Sequence, residues 1–234
     1  MVHQTAASAI PPVGSPREPG ARRLALAGVV LLLSGVAGAV SEIPQWGACL
    51  DELYGPACVA GQEHHLYSSV LPGPAWIGEP WAVLLHGAAL LGIAAAVALV
   101  TAGRLDRVWR ALVVYPTVCV GLLTLIPGVI GQGLAINVAV EWVWIMAVPL
   151  VFLLACLWSG PGGSRPTSRW ILVLLALLAL TSTLPQVFIG IGITGHHDTP
   201  PGYGLVQAIP IAALGIAALG GAAVRLVPWN RRSG

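Results

Sequence analysis

Six stretches of almost unbroken apolar residues, parted by short polar breaks, organise this chain. They run over 24–43, 81–102, 111–130, 135–158, 170–193 and 205–227. Each is close to the roughly 20 residues a helix needs to cross hydrocarbon. A backbone in lipid must satisfy its own hydrogen bonds, and these runs are too long for barrel strands. The pattern predicts an all-α polytopic membrane protein, a six-transmembrane-helix bundle. Residues 1–23 are rich in Pro, Gly, Ala and Ser and read as a disordered tail. The membrane domain is expected over 24–230, with one sizeable loop over 44–80.

The first apolar run has a rival reading. Arg22-Arg23, an apolar stretch and Ala37-Gly38-Ala39 resemble a cleavable signal sequence. The run and the tail before it are long for a signal, so an uncleaved helix is expected. Proline falls inside several spans, at Pro116, Pro127, Pro149, Pro185 and Pro210. Each removes a backbone donor and can kink its helix. Tryptophans mark the span borders: Trp76, Trp81 and Trp142 at one interface, and Trp109, Trp158, Trp170 and Trp229 at the other. That is the aromatic belt of a membrane protein.

Composition agrees with lipid as the solvent. The chain is 56% hydrophobic and 9% charged, whereas a soluble domain is about a quarter charged. The charges are also segregated. All 11 basic residues are arginines. They fall in the tail (Arg17, Arg22, Arg23), in two loops (Arg104, Arg107, Arg110; Arg165, Arg169) and at the end (Arg225, Arg231, Arg232). Arginine-rich loops face the cytoplasm, so both termini are expected there, in a multi-pass protein of the cell membrane. Orientation and anionic lipid account for these clusters, and they give no reason to expect nucleic acid as a partner.

The loop 44–80 then lies outside, where thiols oxidise. Cys49 and Cys58 bracket a Tyr-Gly-Pro turn and are expected to form a disulfide that pins the loop. Cys119 and Cys156 fall inside spans and are expected to act as small buried apolar groups.

Polar groups within lipid are costly and mark function or interior packing. Glu141 is the foremost, about six residues into the fourth span. Asn137 shares its face four residues earlier, and Trp144 follows on the same side. His86, Gln132, Gln186 and Gln207 also fall in outer halves of spans or at an outer turn. This uneven distribution predicts a polar pocket open to the outside. Glu141, protonated, can act as a general acid; ionised, it can hold a cation. Asn137 would position it, and His86 is a possible partner. The structural alternative is a carboxyl that bonds a neighbouring helix.

A second constellation is a doubled His-His on the outer face. His64-His65 follows Glu63, and His196-His197 precedes Asp198. Imidazole with carboxylate suits Zn or Cu, though the spacing matches no strong motif and solvated histidines are the simpler reading. His86 as a haem ligand is a further alternative. No Walker loop, dinucleotide fingerprint or G-x-S-x-G is present.

Three functions stand at this point. The first is a small membrane enzyme using acid/base chemistry on an isoprenoid or lipid-like substrate, with Glu141, Asn137 and His86 as its site. The second is an accessory protein that binds a metal or a partner membrane complex at its outer face. The third is a proton- or cation-coupled transporter subunit. Expected partners are membrane lipid, a lipophilic small molecule or a membrane protein, with a homo-oligomer possible. The sequence assigns no cofactor.

Overall fold

In the computed structural model the described residues are 20–44, 47, 49, 52, 55–58, 79–103, 105, 107–130, 150–151, 153–155, 169–180 and 203–226. Their extended elements are helices: α1 (Ala21–Ser41), α2 (Pro80–Thr101), α3 (Arg107–Ile130), α4 (Arg169–Leu180) and α5 (Tyr203–Leu226). Four of these, α1, α2, α3 and the Gln207–Leu226 stretch of α5, are long and apolar enough to cross a membrane. Their borders fall within a few residues of those expected. α2 opens with Pro80 in its first turn, where a missing N–H costs nothing. The turn into α3 uses Gly103 at φ +72°, a left-handed position that suits glycine. α3 runs through Pro116 and Pro127, and α5 through Pro210.

Helices in lipid gain little from apolar association, so close backbone packing must hold them together. Here glycine provides it. Gly28, early in α1, lies against Gly215 and Leu219, late in α5; Gly35 lies against Ala208 and Ala212. That register makes α1 and α5 antiparallel. On α2 and α3, Leu84 meets Gly128, Gly87 meets Leu125 and Leu91 meets Gly121, again antiparallel. Between α1 and α2, the Ser34 hydroxyl rests on Gly92, and Gly38 faces Ala89, giving a third antiparallel pair. The packing order is therefore α5, α1, α2, α3. α4 joins through Leu174, Leu175, Leu178 and Ala179, which cluster with Val97, Val100 and Val113.

Side chains turned away from this packing are apolar too. Leu33 on α1, Val108 and Val129 on α3 and Val224 on α5 are all exposed. Water would not tolerate helices with such outer faces, but hydrocarbon would. Buried hydroxyls are satisfied locally: Thr101 donates to the Val97 carbonyl at 2.7 Å, and Thr124 to that of Val120 at 2.8 Å. Cys119 corrects an expectation. It is exposed on α3, because its position falls on the same outward stripe as Tyr115 and Leu122.

The antiparallel order sorts charge by end. Arg22, Arg23, Arg107 and Arg110 begin α1 and α3, and Arg225 closes α5, so these five share one end of the bundle. Glu42 and Glu79, which follow α1 and precede α2, share the other.

Candidate functional site

The acidic end is built from three helices. α1 finishes in Ser41, whose hydroxyl donates to the Gly38 carbonyl at 2.6 Å. Glu42 is the C-cap residue, its N–H bonded to the carbonyls of Ala39 and Val40. Glu42 as a whole is only 4% exposed. α2 carries His86 less than two turns from its start, and α5 carries Gln207 in its second turn. The antiparallel seams bring these three levels together. They line one cavity of about 20 Å³ with Ser34, Gly38, Ala89, Leu90, Ile93, Ala208 and Ile211.

Glu42, His86, Gln207 and Ser34 are the polar residues of this lining, and the wall they help to form is almost wholly apolar. The remaining lining residues are aliphatic or glycine. Ser34 donates to the Val30 carbonyl at 2.8 Å, and its oxygen rests against Gly92. The volume suffices for about one water molecule. Glu42 and His86 are the two ionisable residues among those that line it, and a carboxyl and an imidazole are the side chains that most often move protons. They do not form a cluster of three or more metal-ligating side chains, and no such cluster occurs among the described residues.

Of the residues expected from the sequence, His86 and Gln207 meet here. Glu141, Asn137, His64, His65, His196, His197 and Asp198 lie outside the described residues, as do Gln132 and Gln186. Glu42 falls inside the first apolar run, 24–43, and does not stand out there. The signal was present: a single carboxylate near the end of a span that is otherwise free of acids.

Beyond α1 the chain is fastened by a disulfide between Cys49 and Cys58, with Cys58 fully buried. Within it, Gly55 donates its N–H to the Glu52 carbonyl at 3.1 Å. The bridge closes the loop from Cys49 to Cys58. Closing so short a loop is worth about 2–3 kcal/mol of chain entropy. Cys49→Ser with Cys58→Ser is expected to open this loop to limited proteolysis and leave the helical circular dichroism unchanged. Equal protease resistance in the two proteins would show that the bridge does not hold the loop.

Comparison with protein-family models, with curated proteins and with solved structures finds no match for this chain.

Proposed function

We propose that this chain is a six-span protein of the cell membrane, with both termini cytoplasmic and an acid/base site at its outer end. There it would act on the polar head of an isoprenoid or lipid-like substrate. One observation carries the reading: three helices far apart in the sequence bring Glu42, His86 and Gln207 to one cavity walled by aliphatic side chains. Buried ionisable groups in a membrane helix bundle are expensive and cluster where function needs them. Glu42 would give or take the proton, His86 would be its partner, and Gln207 would orient the substrate head. The apolar tail would remain in the bilayer. Glu141, with Asn137 four residues earlier in the sequence, is proposed as a second acid/base group in the outer half of the fourth span.

The orientation rests on charge. Arginines gather at one end of the bundle, which favours that end as cytoplasmic. A disulfide near the other end suits an oxidising exterior. Alkaline phosphatase fused after Gly78 is expected to be active, and fused after Gly163 inactive. The reverse pattern would overturn the orientation.

The functional test compares the lipids of cells that make the chain with those of cells that lack it. One lipid class should change in amount, and Glu42→Gln should behave like the absence of the chain. A profile that ignores both changes rejects the enzyme reading. A second reading, a proton-coupled transporter subunit, is favoured by the cavity's room for a single water. It predicts Glu42-dependent proton uptake into liposomes and no change in lipid composition.

A further inference from the structure

Four arginines stand where a helix favours acids. Arg22 and Arg23 fall in the first turn of α1, and Arg107 and Arg110 in the first turn of α3. Aligned peptide dipoles make a helix start positive, so carboxylates stabilise it and cations oppose it. Neither first turn holds an acid. The nearest acids in the sequence, Glu18 and Asp106, lie outside the described residues. Each has a further arginine within two residues, Arg17 and Arg104, so the excess stays basic.

The seams bring these charges to one level. Gly28 lies against Gly215 and Leu219, so the start of α1 comes level with the last turn of α5, which carries Arg225. Ser34 lies against Gly92 and Leu91 against Gly121, so the end of α2 comes level with the starts of α1 and α3. Arg22, Arg23, Arg107 and Arg110 are exposed, and Arg225 is half-buried. Beside them the surface turns apolar: Leu26 and Val29 on α1, and Val108 and Leu112 on α3, are exposed. Leu26 and Val29 follow Arg22 along one face at helical spacing. A surface basic at its edge and apolar next to it has the division of a phospholipid, an anionic head over acyl chains.

Residue type narrows the head. Positive charge orients a membrane protein whether Lys or Arg carries it, yet all 11 basic residues are Arg. A guanidinium presents a planar fork that holds phosphate oxygens two at a time.

We propose that Arg22, Arg23, Arg107, Arg110 and Arg225 form a discrete binding surface for the phosphate head of an anionic phospholipid, whose acyl chains run along the exposed apolar faces of α1 and α3. Diffuse attraction to an anionic leaflet is expected of any basic loop; a discrete surface keeps its lipid after extraction. The acid/base cavity lies at the other end of the bundle. The two readings share only that these helices span a membrane.

The test uses the full chain in detergent, as wild type, as Arg22→Gln with Arg23→Gln, and as Arg107→Gln with Arg110→Gln. Arg231→Gln with Arg232→Gln removes the same charge beyond α5 and is the control. Each is mixed with dioleoylphosphatidylglycerol or with dioleoylphosphatidylcholine, whose choline neutralises the same phosphate. Native mass spectrometry reads the adducts, and the thermal midpoint is measured alongside. Wild type and control are expected to retain phosphatidylglycerol over phosphatidylcholine by about tenfold or more, and each pair variant to lose most of that preference. Phosphatidylglycerol should raise the wild-type midpoint by several degrees and those of the pair variants by less. Without lipid the pair variants should melt no lower than wild type, since a cation has left a helix start. Each pair tests the surface by itself should the other fail to insert. Equal retention of the two lipids by wild type overturns the proposal. So does an equal loss in the control, which marks net charge alone. Displacement of the lipid by millimolar inorganic phosphate overturns it too, since it marks a site for a free anion. Cell lipids that ignore Glu42 would reject the enzyme reading and leave these results standing.

Discussion

Gly35→Ala is expected to destabilise the bundle by roughly 1–3 kcal/mol, the usual cost of overpacking a tight contact. The new methyl would lie 2.5 Å from the Ala212 nitrogen, 2.7 Å from its Cβ and 2.8 Å from the Ala208 carbonyl oxygen. None of these is the far end of a flexible side chain, so no rotamer change can relieve the contact. α1 and α5 must separate, and with them Gly28 from Gly215. Dispersion falls off steeply with a small gap, and in lipid there is little hydrophobic gain to offset the loss. Gly220→Ala on α5 is the matched control, since a Cβ there meets nothing within 4 Å. It should stabilise by about 0.4–1 kcal/mol through the unfolded chain. Thermal midpoints in one detergent should therefore fall by several degrees for Gly35→Ala and rise slightly for Gly220→Ala. If Gly35→Ala melts with wild type, the α1–α5 seam is not as close as its glycines imply.

That seam was not legible in the sequence, although the helices were. Apolar runs of span length, broken by Arg-rich and Pro/Gly-rich turns, gave α1, α2, α3 and α5 within a few residues. They gave no helix order, because spans that are apolar all round have no distinct inner face to read. Gly28, Gly35 and Gly215 say which faces touch only when taken as pairs, and pairing is a property of the fold. Cys119 shows the same gap: position within a span did not reveal on which side of α3 it would lie. The disulfide was readable, because two nearby cysteines around a turn leave few other partners. The site was half legible. His86 and Gln207 stand out as polar groups in outer halves, whereas Glu42 falls unremarked within the first apolar run, 24–43. Only the antiparallel α1–α2 and α1–α5 contacts bring it to the same cavity as those two. Glu141 and the paired histidines lie outside the described residues, so their expected roles carry forward as proposals.

Glu42→Gln and His86→Asn are each expected to lower turnover of the lipophilic substrate by about 10²–10⁴-fold, the range for loss of a general acid or base. The double variant should be scarcely worse than the poorer single one. Groups that pass one proton between them act as a unit, and removing either removes the function of both. Independent roles would instead multiply, so the cycle separates a working pair from two polar residues that merely share a cavity. Both changes keep a polar side chain of similar size, which limits the cost of repacking against Leu90, Ile93 and Ile211. Gln207→Ala should weaken substrate binding more than it slows the chemical step, because an amide that orients a head group transfers no proton. A Glu42→Gln protein that keeps its fold and full turnover would remove this site from consideration and leave Glu141 as the acid/base candidate.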